Sequence, residues 1–430
     1  METVLAKIAK VARERPKEKF TSLAHYINGP ALYAAHVGQD GMKAVGVDGV
    51  TKAEYEKNIH ANVTDLVARL KRHAYKPQPV RRAYIRKEGT DKLRPLGIPA
   101  YEDKLVQAVL AEILSTIYEE TFLDYSYGFR KGRSCLQALK ALNHIIERKK
   151  VHYIVDADIK GFFDHVDHDW LLTFLKERIA DPNILRLIVR FLKAGVMEEG
   201  KLQESLSGTP QGGLISPVLG NIYLHYALDL WFYKHVREQS TGACYLIRYA
   251  DDFVCCFEKR EDAERFYEQL IERLAKFKLS VAVEKTKIIR FGRPNGDDEN
   301  PGTFDFLGFT HFCGKSKSGS FRVKRKTARK KLRKSLLSVK QWLVKSMHTP
   351  TKELISTLRS KVRGHYNYYG LTDNRDSLSK FYQEVIKMLK WILGRRSQKS
   401  RQTWEDIMKF LRRFPLPYPR IYHSIFYSTT

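Results

Sequence analysis

The feature that most narrows the fold of this chain is a pair of short apolar segments that carry carboxylates at their ends. VHYIVDADI (151–159) is one; ACYLIRYADDFVCCFE (243–258) reads as two strands meeting at a tight acidic turn. The hydrophobic flanks set Asp158, Asp251 and Asp252 against a buried sheet. Carboxylates on rigid elements are what two divalent ions about 4 Å apart require for phosphoryl transfer. Acidic residues are also common in ordinary tight turns, so YADD alone carries little weight. His165 and His168 lie near Asp158, but no third His or Cys ligand accompanies them, which favours structural roles over a zinc site.

Strands concentrate between residues 80 and 312, and helical patterns lie on both sides. Residues 53–73 carry Tyr55, Ile59, Val63, Leu66 and Leu70 at helical spacing. VRRAYIRKEGTDKLRPLGI (80–98) reads as two strands around a Gly-containing turn. GTPQGGLISP (208–217) is a Gly/Pro loop entering a helix. TARKKLRKSLLSVKQWLVKS places Leu332, Leu336, Val339 and Leu343 on one apolar face. The order implies an α+β catalytic core followed by an all-helical module.

Charge separates the same regions. The 430-residue chain has a formal net charge of +28. Residues 321–430 hold 27 Lys/Arg against 6 Asp/Glu, whereas the first 320 hold 49 against 42. A basic module with interleaved aromatics suits a nucleic-acid partner, the alternatives being an acidic membrane surface or merely solvated faces. Five cysteines without a CxxC pair leave no zinc ribbon and no disulfide framework, and Cys255 and Cys256 read as core packing. Without a signal-peptide run or a bilayer-length apolar stretch, a soluble cytoplasmic protein with no membrane partner is expected, nucleoid-associated when acting on DNA.

Several further segments stand in register with the acidic strands. VDADIKGFFDHVDH, SGTPQGGLISPVLGNIYLHYALD, RYADDFV, LSVAVEKTKIIRFG and FDFLGFTH follow one another in order, preceded by AVGVDGVT, RRAYIRKEGTDKLRPLGIPAYEDKLVQ and YSYGFRKGRS and followed by VRGHYNYYG. Together, over roughly residues 20–425, they resemble the bacterial group II intron-encoded reverse transcriptases, which are also maturases. The resemblance implies a right-hand polymerase: an N-terminal extension (1–75), fingers and palm (76–312), a thumb/maturase domain (313–394) and a basic nucleic-acid-binding segment (395–430). It implies RNA-directed DNA polymerase (nucleotidyltransferase) activity with two Mg²⁺ ions on Asp158, Asp251 and Asp252. Lys87 and Arg94 match residues that hold the incoming triphosphate. Phe163 matches the bulky residue that crowds a ribose 2′-OH, with Phe162 beside it as the core residue. Pro210, Gln211 and Gly212 match the loop that meets template and nucleotide. Lys285 matches the lysine beside the leaving pyrophosphate. Phe306, Leu307 and Gly308 match the primer grip, and Arg130 and Arg133 are candidate template contacts.

The partners so implied are an RNA template (the intron RNA), a DNA or RNA primer, dNTPs and, as a further candidate, target DNA; no required protein partner is legible. No Cys-pair and His cluster follows the thumb region, so no endonuclease domain is expected. Two other readings stay open: a domesticated relative serving phage defence or DNA repair, and an RNA-binding splicing cofactor that no longer polymerises. The intact Asp158, Asp251 and Asp252 argue against the last.

Overall fold

A computed structural model describes residues 2–86, 93–198, 201–203, 208, 212–293, 300–396 and 402–426. In chain order the strands are β1 (Val80–Arg86), β2 (Leu93–Ile98), β3 (Tyr153–Asp158), β4 (Val196–Glu198), β5 (Lys201–Gln203), β6 (Cys244–Tyr249), β7 (Asp252–Phe257), β8 (Lys287–Arg290), β9 (Thr303–Phe306), β10 (Phe309–Lys315) and β11 (Phe321–Thr327). They form three sheets among the described residues, ordered β2-β1-β4-β5, β6-β7-β3-β8 and β11-β10-β9. The second sheet is antiparallel throughout and carries the acidic segments.

Both faces of that sheet are covered, which explains its near-continuous apolar strands. Side chains alternate between the faces of a strand. Val155, Phe253, Cys255 and Phe257 enter one core, and Ile154, Val254 and Cys256 another. The adjacent cysteines therefore point into opposite cores, both fully buried and both free thiols. The first core is shared with the N-terminal helices through Leu23, Leu32, Tyr55 and Leu66, and with the helix Tyr101–Glu119. That helix has twelve buried residues and so lies inside the molecule, not on it. In the 53–73 segment the helix breaks at Lys57–Asn58, and Thr51 opens the first part with a capping box to Glu54.

The second core joins the sheet to the helix Cys135–Arg148 and to β9, β10 and β11. The expected boundary at 312/313 falls inside β10, so strand structure continues to Thr327 and the helices begin at Arg329. β11 was hidden in the sequence by Arg322, Lys324 and Lys326, which alternate with buried Val323, Arg325 and Thr327.

The basic module packs the helices Arg329–Lys345, Thr351–Tyr369 and Arg375–Gly394 around a third core. Val339 and Leu343 are buried there, and Leu332 and Leu336 are partly buried against it, as the helical register predicts. The helix Trp404–Arg413 adds Ile407, and Leu416 follows. Ile407 and Leu416 thus pack on the helical module, whereas Ile425 enters the second core and Arg322 of β11 lies over the Phe426 ring. Among the described residues, no helix is long and apolar enough to cross a membrane.

Candidate active site

β3 and β7 are hydrogen-bonded neighbours, and their register sets Asp158 directly opposite Asp252. Such opposed side chains share one face of the sheet. β6 and β7 pair with Tyr249 opposite Asp252, leaving Ala250 and Asp251 as a two-residue turn. Ala250 has φ +58°, in the left-handed region that two-residue hairpin turns favour. The three predicted carboxylates therefore converge at one edge of one sheet.

Two further carboxylates join them. Asp156 lies two residues before Asp158, on the same face, and Asp305 projects from β9. Burial, then the charges of Asp305 and Asp158, push the Asp156 carboxyl up to about 7, with Lys287 opposing. Asp252 is likewise raised to about 7 by burial, then by Asp156, Asp251 and Asp158, with Lys331 opposing. Crowded carboxylates that resist sharing negative charge are a donor set suited to hard divalent cations. Among the described residues no closed cage of three or more ligands is already drawn together. Lys285 instead sets its ammonium on Asp158, which raises the lysine above its ordinary value. The VDAD repeat was a signal for Asp156; Asp305 had none, because only tertiary packing brings β9 to the site.

Behind Asp158 the chain turns at Gly161, φ +55°, into FFD. Phe162 is buried, whereas Phe163 is only partly buried. A β-carbon on Gly220 would fall 3.0 Å from the Phe163 ring, so the glycine accommodates that ring. His165 and His168 each bond a backbone carbonyl, of Gly161 and Gly208, at 2.9 and 2.8 Å.

Gly212 has φ +117°, and a β-carbon there would lie 2.7 Å from the Gly97 carbonyl of β2; only glycine fits. Lys87, Pro210 and Gln211 lie outside the described residues. Arg94 is on β2, opposite Ile85.

Phe306 is buried, and Leu307 and Gly308 turn the chain from β9 into β10 with φ +47° and +81°. Tyr368 donates its hydroxyl to the Leu307 carbonyl at 3.0 Å, which ties this turn to the helical module. Between them runs a cleft of about 660 Å³, with Asp252, Leu307 and Gly308 on one side and Lys331, Lys334 and Lys361 on the other. The sequence offers Lys331 and Lys334 as part of a basic helix face; only the tertiary structure sets them, with Lys361, across a cleft from Asp252.

The two arginines proposed for template contact differ. Arg130 is committed internally: its side chain is 3% exposed, pairs with Glu119 at 2.7 Å and donates to the carbonyls of Leu123 and Ser126. That corrects its assignment as a template contact, since it instead holds its own loop. Arg133 is part-exposed, pairs with Asp124 at 2.7 Å and stacks over Tyr127.

Residues 85–311 match the family described as reverse transcriptase (RNA-dependent DNA polymerase). The group II intron-encoded protein LtrA of Lactococcus lactis subsp. cremoris is 30% identical over 88% of this chain and 75% of its own length. Protein YkfC of Escherichia coli (strain K12) is 31% identical over 74% of this chain and 90% of its own. The nuclear intron maturase 4, mitochondrial, of Arabidopsis thaliana is 29% identical over 34% of this chain and 18% of its own.

Proposed function

This chain belongs to the reverse transcriptase (RNA-dependent DNA polymerase) family, among its group II intron-encoded members, and we propose that it extends a primer on intron RNA with two Mg²⁺ ions held by Asp158, Asp251 and Asp252. The observation that carries the site is the cross-strand register of Asp158 with Asp252, with Asp251 in the adjoining turn. Bound there, two divalent ions would activate the primer 3′-hydroxyl and neutralise charge on the transferring phosphoryl group.

The chain's own residues do the rest. The 3′-hydroxyl gives up its proton to solvent as its oxygen bonds to the nucleotide's α-phosphorus and the bond to pyrophosphate breaks. Lys285, already beside Asp158, is within reach of that leaving charge. Phe163 fills the space that a ribose 2′-OH would need. Gly212 and Gly308 let backbone approach template and primer closely. Lys331, Lys334 and Lys361 meet duplex phosphates along the cleft. We read residues 1–75 as an N-terminal extension, the strand-rich part as fingers and palm, and the helices from Arg329 as thumb.

Assistance to intron splicing is the second activity of this reading. It needs extended basic surfaces and no carboxylates, since splicing is RNA chemistry. Primer extension on an RNA template tests the first activity, with Asp251→Asn as control. Robust extension by that variant would end the two-ion assignment. Splicing of the cognate intron at low Mg²⁺ tests the second, and Asp251→Asn should still promote it; no stimulation by wild-type protein refutes that role.

A further inference from the structure

Among the described residues, Arg248 and Arg325 are the largest fully buried side chains, and Arg248 lies two residues before the acidic turn. A guanidinium in a protein interior demands partners for its donors. Here they come from two directions. Nε donates to Asp229 at 2.7 Å, and Nη2 also bonds that carboxylate. Nη1 donates to the Asn221 side chain at 3.1 Å and to the Ala250 carbonyl at 2.8 Å. Ala250 is the left-handed residue of the turn that presents Asp251.

The surroundings are built to hold this hub. Asp229 and Asn221 sit on a helix continuous from Ser216 to Gln239, which widens into a π turn at His225–Asp229. π turns leave backbone carbonyls without their usual helical donors and recur at functional sites. Three such carbonyls are taken by side chains: Tyr226 and Ala227 by Arg273, at 3.0 and 2.8 Å, and Asp229 by the Tyr125 hydroxyl at 2.7 Å. The backbone of Arg248 is strapped to the YSYGFR loop as well. Its N–H donates to the Tyr125 carbonyl, and its carbonyl accepts from Tyr127 N–H, both at 2.8 Å. Asn221 donates to the Gly128 carbonyl at 2.7 Å. A β-carbon on Gly128 would lie 2.2 Å from Ala250 N, so the loop presses directly on the turn.

We propose that Arg248, with Asp229 and Asn221, is a positioning device that holds the Ala250–Asp251 turn, and so Asp251 and Asp252, at the geometry the divalent ions need. The proposal rests on the two-ion reading above. Arg248, Asp229 and Asn221 are all buried. The hub acts through one carbonyl on the turn and through the loop packed against it. The planar fork of arginine serves three acceptors at fixed angles, and a lysine ammonium cannot reproduce that. Groups that orient a metal's ligands typically change affinity or activity about 10- to 100-fold when lost.

The test is Arg248→Lys, with Asn221→Ser as the second variant in case the first does not fold. Each is measured for thermal unfolding, for kcat and KM of primer extension, and for Mn²⁺ binding by electron paramagnetic resonance without nucleic acid or nucleotide. Asp251→Asn supplies the baseline for Mn²⁺ bound elsewhere. The expected result is a folded protein whose kcat falls roughly 10- to 100-fold with little change in nucleotide KM, and whose Mn²⁺ binding weakens about tenfold. Mn²⁺ binding equal to wild type, with kcat reduced only in proportion to the folded fraction, overturns the positioning role and leaves the two-ion reading standing. Wild-type protein that binds no more Mn²⁺ than Asp251→Asn overturns both.

Discussion

The strand floor and the helical wall of the cleft are both built on buried apolar cores, yet they handle charge in opposite ways. On the floor, a few carboxylates sit on strands whose neighbours on both sides fix them, and burial raises Asp156 and Asp252 to about 7. On the wall, Lys331, Lys334 and Lys361 stand on the surface of helices whose opposite faces carry Val339, Leu343, Leu358 and Val362 into the core. The difference separates chemistry, which needs atoms fixed within a fraction of an ångström, from grip, which needs only charge near a polyanion.

The largest effect that could break this division is on turnover. Asp158→Asn or Asp251→Asn should lower primer extension about a thousandfold or more, since each removes several kcal/mol of charge stabilisation at the reacting phosphate. Template–primer affinity, read by gel shift, should hardly change. Loss of affinity in step with activity would mean that floor and wall are not separable.

The converse experiment replaces Lys331, Lys334 and Lys361 together with alanine. Binding should weaken roughly a hundredfold near 0.15 M salt, and the slope of log affinity against log salt should become shallower by about 3. Turnover at saturating substrate should persist. An unchanged slope would remove these lysines from the duplex path.

Within the floor, Phe163→Ala sharpens the picture. Its neighbour Phe162 is buried and carries the packing, so the variant should fold. Ribonucleotide discrimination should fall about tenfold, the scale of adding or removing a small group in a pocket. Unchanged discrimination would make Phe163 part of the core.

The smallest effect concerns acid. Burial lowers His365 in the wall to about 4, and His365 stacks on Phe381 with ring centroids 3.7 Å apart. Its folded pKa lies below its unfolded one, so its neutral form contributes full stability above pH 6.5, and that contribution is lost as pH falls toward 4. Going from neutral pH to 5.5 should cost the helical module about 1.4 kcal/mol through this group. Hydrogen exchange of residues 351–394 should show the loss, and His365→Phe should flatten it. An identical pH dependence in the variant would assign the acid lability elsewhere, His225 and His311 being buried and lowered in the same way.

Much of this was legible along the chain, and what escaped it escaped for a common cause. The acidic strands, the apolar stripe of Leu332, Leu336, Val339 and Leu343, and the packing of Cys255 and Cys256 all follow from periods of 2 and 3.6 residues. Those periods are local, because side-chain direction depends only on the backbone beneath it. Motif order identified the chemistry in the same way. The chain could not show that Arg130 meets Glu119, that β10 carries strand structure past residue 312, or that Asp305 comes up beside Asp156. Nor could it show that Arg248, read in RYADD as a flank, turns inward to Asp229 and Asn221. A charged side chain's role depends on which partners reach it and on how much water is left around it. Both are set by segments far away in sequence, so local pattern determined where the elements and their carboxylates lie, and only the tertiary fold decided which charges became ligands, grips or buried braces.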